Sequence, residues 1–373
     1  MTEVIAKIKK QYLEFGKKQW PPYHGKTCNV AVEIVVVKNK IGQSNEYSPT
    51  HCQLKYSDLF KVSDGRVVRK VLLEGYGGSG KTLLCTSLCL DWANGVILQQ
   101  YKLVLLIPLH HSKVVSAGSL PKLFKLLFPD KQQRIAIRKI FKEKEDEVLI
   151  LADGWNHLAN DERQDGTFIY RLLFGNELLP QASVLVTSRP SSSIPLHNVQ
   201  CIDQVVEIHG FRKDSIKQYI NLVLATDKAS RLLTQLQHNQ AAEVLCSVPL
   251  NCAIISHLWY TFGIEIIPET MTDLYTIFVS NVIVSTVKKE GYSSIQLGFA
   301  GFPDDIQEHF WHCCRFAFQA IEKKEITFSQ HDVAMHFGLL QPLELPFEAS
   351  REAFFQFVHP VVMEYLAALH LTQ

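Results

Sequence analysis

Eight consecutive residues carry the strongest chemical signal in the chain: Gly75, Tyr76, Gly77, Gly78, Ser79, Gly80, Lys81 and Thr82. They satisfy the spacing G-x-x-x-x-G-K-[ST] of a phosphate-binding loop. A triphosphate is held by backbone N–H groups that point inward around it, and bulky side chains would block that approach. Glycine leaves the amides open and tolerates the φ values the loop needs. Lys81 brings a cation towards the β- and γ-phosphates, and the Thr82 hydroxyl is a Mg²⁺ ligand. Two further stretches fit the same chemistry. In Val148–Leu158 an apolar run ends on Asp153, whose carboxylate can hold Mg²⁺ directly or through water. In Val184–Pro190 a second apolar run delivers Thr187, Ser188 and Arg189, and an arginine there can reach a γ-phosphate. Taken alone, Asp153 reads as a turn or cap residue and Arg189 as a surface arginine before a proline. Their places downstream of a phosphate loop favour the nucleotide reading.

The elements that must position these residues are legible from hydrophobic pattern. Short apolar strands are expected at Val68–Glu74, Leu103–Leu109, Val148–Ala152, Ser183–Thr187 and Val205–Ile208. Helices are expected near Lys81–Asn94, Leu120–Phe128, Gln133–Lys142 and Phe168–Leu173. The first of these carries Leu83, Leu84, Ser87, Leu88 and Trp92 at helical spacing and has Gly95 as its stop. Nearly all-apolar strands alternating with helices predict an α/β fold of the P-loop NTPase type, a parallel sheet with helices on both faces. Ligands of such sheets lie beyond the carboxyl ends of the strands. After Gly210 the strands stop. Helices are expected at Lys213–Ala225, Ala229–Gln237, Ala241–Cys246, Leu250–Trp259 and Met271–Lys288, followed by a Gly-rich break at Gly291–Pro303. A helix at Asp305–Glu322, another from Ser329, strands at Leu340–Leu345 and Phe354–Val358 around the turn Pro346–Ser350, and a last helix at Val361–Leu371 predict a winged helix. Upstream, Thr2–Lys18 reads as an amphipathic helix, Val30–Val37 as a strand candidate and Lys38–His51 as a loop. The expected division is an N-terminal helix and linker over 1–66, a nucleotide-binding α/β domain over 67–210, a helical domain over 211–290 and a winged-helix domain over 291–373.

Composition narrows the classes. At 373 residues, with 47% hydrophobic and 20% charged, the chain has globular composition and suggests about two to three domains. A net charge of +1 gives no argument for nucleic acid. The basic clusters at Lys7, Lys9 and Lys10, at Lys17 and Lys18, and at Arg69 and Lys70 read as solvated faces. The nine cysteines, Cys28, Cys52, Cys85, Cys89, Cys201, Cys246, Cys252, Cys313 and Cys314, contain no C-x-x-C and read as reduced thiols. Met1 opens a polar, lysine-rich helix instead of a signal core. Val30–Val37, the most apolar run, contains Glu33 and is too short for a membrane span. A soluble, cytoplasmic chain is expected. His110 and His111 have no Cys or acid at ligand spacing and do not read as a metal site.

With these motifs in order, GYGGSGKT, LILADG, LVTSRP and EIHGF, the chain resembles the NACHT nucleotide-binding module of the NOD-like receptors, within the signal-transducing ATPases related to the AAA+ group. Ser247–Pro249 resembles that family's proline motif, and Leu274–Phe278 the helix that follows. Phe355–Leu369, with His359, is similar to the end of its winged helix. The resemblance covers about Val67 to Gln373. It implies that Gly75–Thr82 bind the phosphates of ATP or ADP, that Thr82 and Asp153 hold Mg²⁺, and that Arg189 senses the γ-phosphate. It implies that Pro249 packs on the adenine and that His359 touches the β-phosphate of ADP and locks the winged helix. The implied function is an innate-immune-type switch, closed with ADP and self-associating with ATP, which engages adaptor or effector proteins. Receptors of this type usually carry sensor repeats after the winged helix, so the resemblance implies a chain truncated before such repeats. Read from residues alone, Pro249 is a helix N1 proline and His359 a turn histidine.

One departure bears on chemistry. The family pattern D-G-x-D-E carries acids where this chain has Asn156 and His157. Hydrolysis needs a group that orients and deprotonates water. Asn156 can orient but not accept a proton, His157 can act as a base if it points inward, and Asp161 and Glu162 stand further on. Weak ATP hydrolysis is therefore expected. The alternatives are a catalytically degenerate nucleotide-binding scaffold and a general P-loop ATPase or kinase.

Overall fold

The computed structural model describes residues 2–16, 33–39, 54–61, 67–175, 177–261, 263, 267–289, 299–329, 337–343 and 354–372. Residues 40–51 of the expected loop Lys38–His51, residues 291–298 of the expected break Gly291–Pro303, the turn Pro346–Ser350, and Cys28 and Cys52 lie outside them; Lys38 and Asn39 belong to a strand, Glu33–Asn39. Two compact units are present. One is Met1–Gly210 and the other begins at Phe211.

The first unit contains α1 (Thr2–Gly16), β1 (Glu33–Asn39), β2 (Lys70–Glu74), α2 (Lys81–Ala93), β3 (Leu103–Pro108), α3 (Ser112–Val115), α4 (Leu120–Leu127), α5 (Lys131–Glu143), β4 (Val148–Asp153), α6 (Phe168–Leu173), β5 (Ser183–Ser188), α7 (Pro190–Ser193) and β6 (Gln204–Gly210). The sheet order is β1-β6-β2-β5-β4-β3. The ladders β2–β5, β2–β6, β3–β4 and β4–β5 are parallel, and β1 joins β6 antiparallel. Every residue of β2, β3, β4 and β5 is buried. That is why these strands read as continuous apolar runs and not as alternating ones. Polar residues collect at their carboxyl tips instead. Glu74 pairs with Ser188, and Asp153 with Pro108, in the last rungs of their ladders.

β3 ends the sheet, and a bare edge strand exposes unpaired backbone groups. α1 covers it. The Tyr12 hydroxyl donates to Val104 O at 3.1 Å and accepts from Leu106 N at 2.9 Å. Its ring meets Trp92 of α2 edge-on, 6.2 Å between centroids. Ile8, Tyr12 and Phe15 are buried as one helical stripe, the packing that a helix of this length needs to persist. Lys7 reaches Asp130 at 2.6 Å, and Gln133 donates to Gln11 at 2.9 Å, so α1 is also tied to the start of α5. The helix is thus built into the first unit.

The second unit contains α8 (Lys213–Val223), α9 (Thr226–His238), α10 (Gln240–Cys246), α11 (Pro249–Thr261), α12 (Met271–Lys289), α13 (Asp304–Lys323), β7 (Phe328–Ser329), β8 (Leu340–Pro342), β9 (Phe354–Phe357) and α14 (Pro360–Leu371). α11 is buried almost all round, as its uniform apolarity requires. The three strands form an antiparallel sheet in the order β7-β9-β8. The helix expected from Ser329 does not begin there, because Ser329 pairs with Phe354 in β7. The neighbouring Phe328 decides this. Its ring packs on Phe316 at 4.8 Å and Phe357 at 5.8 Å, from a strand paired with β9. The cysteines among the described residues are all free. No single helix among those residues is long and apolar enough to cross a membrane.

Tyr12→Phe is expected to lower stability by about 1–3 kcal/mol, since it leaves a buried amide and a buried carbonyl of β3 without their partner. Urea denaturation of the two proteins measures this, and matching midpoints would remove the edge-cover role of α1.

Candidate nucleotide site

The phosphate loop stands between β2 and α2 in the expected strand–loop–helix order. Gly78 and Gly80 take φ values of 78° and 102°, the left-handed region where glycine carries no Cβ penalty. Gly75 is constrained by space, because a Cβ there would lie 2.6 Å from Ser79 Oγ and 2.7 Å from Ile208 Cγ2. The loop thus forms a cradle walled by backbone. Two features fit a phosphate guest. Ser79 Oγ is buried without a hydrogen-bond partner, and the Lys81 ammonium is folded inwards, donating to Gly75 O at 2.6 Å and Tyr76 O at 2.8 Å. Burial pushes the Lys81 ammonium down to about 8. The Asp153 carboxylate opposes that shift and the Arg189 guanidinium adds to it. These three charges, expected together from sequence, therefore lie in one electrostatic neighbourhood. Thr82 is exposed at the start of α2, and Tyr76 stands 72% exposed on the outer side of the loop.

Asp153 closes β4 and is only 4% exposed. Thr187 of β5 holds it. The Thr187 hydroxyl donates to Asp153 Oδ1 at 2.6 Å and accepts from Gly154 N at 2.8 Å, so one side chain sets both the carboxylate and the turn after it. Gly154 has φ 96°, which launches the 3-10 turn Trp155–His157. Trp155 anchors that turn against Phe174, 5.4 Å between centroids. His157 packs back over Gly154, where an added Cβ would meet its Cδ2 at 2.7 Å. It also meets the His110 ring edge-on at 6.2 Å. His110 feels the Asp153 charge, but burial dominates and lowers its pKa. The His110 imidazole thus lies within reach of the Asp153 charge, with His157 packed against it. Of the two acids further on, Glu162 is engaged locally by Ala159 N at 2.7 Å, and Asp161 is exposed.

Arg189 follows β5 directly and is half-buried. The segment after it, α7 and the 3-10 turn Ile194–Asn198, returns to the sheet. Ser193 Oγ donates to Glu74 Oε1, and His197 Nε2 lies 2.8 Å from the same oxygen. In the second unit, Pro249 is the first residue of α11 and is buried. His359 is the N-cap of α14, its Nδ1 accepting from Val361 N at 3.1 Å. Read from residues alone, Pro249 is a helix N1 proline and His359 a turn histidine; in that unit Pro249 begins α11 and His359 caps α14. Four participants were not assigned roles from sequence: Glu74, Ser193, His197 and the contact between His110 and His157. No local signal marks them, because each depends on a partner from another strand or turn.

Sheet order, loop and buried aspartate together define a P-loop nucleotide-binding domain. Residues 69–227 match the family profile of the NACHT domain. The chain is 26% identical over 360 residues to "NACHT, LRR and PYD domains-containing protein 3" of Macaca mulatta, covering 88% of this chain and 33% of that protein. It is 25% identical over 373 residues to "NACHT, LRR and PYD domains-containing protein 6" of Rattus norvegicus, covering 88% and 39%. A signal transduction ATPase with numerous domains and a tetratricopeptide repeat sensor, from Pyrococcus horikoshii, aligns at a TM-score of 0.37 and 13% identity, over 81% of this chain and 40% of that one. Residues 69–227 thus match a NACHT domain, and the chain is similar to the NACHT, LRR and PYD domains-containing proteins. It spans about a third of the length of the curated relatives it matches.

His111, beside this site, is buried and caps α3 by accepting from Lys113 N through Nδ1, at 3.2 Å. Burial pushes the imidazole down to about 4, and the His110 and Lys113 charges act the same way. The unfolded chain binds a proton near the ordinary value of about 6.5, and the folded chain binds it only near 4, so stability falls as pH drops between those values. Protonation also removes the acceptor that caps α3. His111→Asn, which can cap without titrating, is expected to reduce by about 1–2 kcal/mol the stability lost between pH 7 and pH 5. Urea melts at the two pH values give the comparison; an unchanged difference would place the acid sensitivity elsewhere.

Proposed function

We propose that the protein is an adenine-nucleotide-operated switch of an intracellular, innate-immune-type receptor, closed with ADP and self-associating with ATP. The observation that carries this reading is the Lys81 ammonium folded into a glycine-lined cradle and sharing its surroundings with Asp153 and Arg189. Gly75–Thr82 would hold the phosphates, with Thr82 and Asp153 as the residues for Mg²⁺. When bound, that ion supplies neutralisation of phosphate charge. Arg189 would distinguish triphosphate from diphosphate. Pro249 would pack on the adenine. His359 would contact the ADP β-phosphate from a C-terminal winged helix over residues 291–373, with residues 211–290 as the helical domain between. Release of that contact would favour self-association and recruitment of adaptor or effector proteins in the cytoplasm, by the general logic of a ligand that binds two states unequally.

Turnover is expected to be slow, well below about 10 s⁻¹. The supporting observation is that Asn156 and His157 stand where the resemblance expects carboxylates, with the His157 ring packed against His110. The same feature supports a second reading, a scaffold that binds nucleotide and does not turn it over.

ADP with Mg²⁺ is expected to raise the melting temperature of the protein and not that of Lys81→Ala. Ligand at about 100 times its dissociation constant adds about 2.7 kcal/mol. No shift in either protein, or equal shifts in both, would overturn nucleotide binding at this loop. His359→Ala should weaken ADP about tenfold more than ATP, since a charge-assisted hydrogen bond contributes about 1.5–3 kcal/mol. It should also increase self-association at equal concentration. Equal losses for both nucleotides, with no change in oligomer size by light scattering, would reduce His359 to its helix-capping role.

A further inference from the structure

We propose that Glu74, Ser193 and His197 form a clamp that positions Arg189 over the phosphate loop and so sets the discrimination between ATP and ADP. The inference rests on the reading of Arg189 as the group that meets the γ-phosphate.

Glu74 is the last residue of β2, adjoins Gly75, and is 6% exposed. A carboxylate at that depth is costly unless it is hydrogen-bonded. Both of its side-chain partners come from one segment, the ten residues after β5. The Ser193 hydroxyl donates to Glu74 Oε1 and is itself fully buried. The His197 Nε2–H meets the same oxygen at 2.8 Å from a half-buried position. This segment starts with Arg189. Ser192 N and Ser193 N donate to Arg189 O at 3.0 and 3.2 Å, and Ser193 Oγ lies 3.1 Å from the same carbonyl. On the other side of Arg189, Gly75 N donates to Ser188 O at 3.2 Å. The arginine backbone is therefore gripped at two points, and both grips lead to the residues that begin the phosphate loop.

The grip is needed because the segment cannot hold itself. α7 has four residues and the turn after it five, too short for helix formation without tertiary anchoring. Between Arg189 and β6, the Glu74 carboxylate is the polar anchor that takes both Ser193 and His197. Loosening it leaves the loop and Lys81 in place but lets the arginine backbone, and hence its guanidinium, shift. Diphosphate, which does not reach the guanidinium on this reading, should be bound as before. Triphosphate should lose its extra contact, and small displacements of a positioning group carry large costs in such sites.

The test measures dissociation constants for ADP and for a non-hydrolysable ATP analogue, with Mg²⁺, on the full chain and its variants Ser193→Ala, His197→Ala, Glu74→Gln, Arg189→Ala and Lys81→Ala. Ser193→Ala and His197→Ala, which remove no buried charge, should keep ADP affinity within twofold and weaken the ATP analogue about 3- to 10-fold. The double variant of Ser193→Ala with Arg189→Ala should be no weaker than Arg189→Ala alone. Equal losses for both nucleotides in the Ser193 and His197 variants, or no loss in either, with Arg189→Ala still selective against the ATP analogue, would overturn the clamp and leave the sensor reading standing. Unchanged selectivity in Arg189→Ala while Lys81→Ala loses both nucleotides would overturn the sensor reading and the clamp with it. Glu74→Gln keeps an acceptor for Ser193 and His197 and should fall between wild type and His197→Ala; a Glu74→Gln loss that is equal for both nucleotides would count against the clamp.

Discussion

Backbone amides can wrap a phosphate only where no side chain stands between them and the anion, and this steric demand shapes the carboxyl edge of the sheet. It fixes glycine at Gly75 by space and at Gly78 and Gly80 by φ. A loop of that composition has little rigidity of its own. Its shape must come from what surrounds it: β2 behind, α2 in front, and the ends of β5 and β6 alongside. Gly75 N is bound to Ser188 O, and Lys81 spans the loop to two of its carbonyls. The buried polar residues at the strand tips follow from the same demand. They are costly inside a low-dielectric sheet, and each is satisfied by a neighbour from the next strand or turn, Asp153 by Thr187 and Glu74 by Ser193 and His197.

The two ends of the sheet are finished by the same stretch of chain. β1 adds an antiparallel strand outside β6, while α1 lays Tyr12 along the open side of β3. One solution pairs the edge with backbone. The other uses a single hydroxyl as both donor and acceptor, which a phenol can do and an aliphatic side chain cannot. α1 and β1 are therefore part of the sheet's own hydrogen-bond accounting and not an appendage to it. Their basic character does not conflict with this. Lys7 is paired with Asp130, and the Lys9 ammonium lies 4.7 Å over the Trp92 ring.

What was legible in the sequence divides along physical lines. The loop was legible because its constraint is local: a phosphate cradle demands glycines and one lysine at fixed offsets. The central strands were legible because burial on both faces leaves continuous apolar runs, and their expected bounds fall within two residues of those found. Asp153 and Arg189 could be named because they terminate such runs. The bonds that orient them could not, since Thr187 reaches Asp153 across 34 positions and His197 reaches Glu74 across 123. A serine or histidine in a turn carries no mark of a distant partner. Tyr12 read as one apolar member of an amphipathic stripe, which describes its ring and misses its hydroxyl. Ser329 was expected to begin a helix, and it pairs with Phe354 in β7 instead. His359 was singled out only through resemblance, and its local role, capping α14, is the reading its own sequence neighbourhood supplies.

The surroundings of Asp153 bear on why such a site would hold nucleotide in preference to consuming it. A carboxylate near a phosphate site serves as a base for water, but it also repels the anion and adds to the negative charge that bound cations must offset. At Asn156 and His157 this chain has an amide and an imidazole, and His110 adds a second ring at 6.2 Å. Burial lowers the His110 pKa, against the pull of the Asp153 charge. Exchanging the acids for an amide and an imidazole removes negative charge that would repel a polyphosphate. His157 is turned back over Gly154 and packs against His110. These features are what the proposed reading of slow turnover rests on.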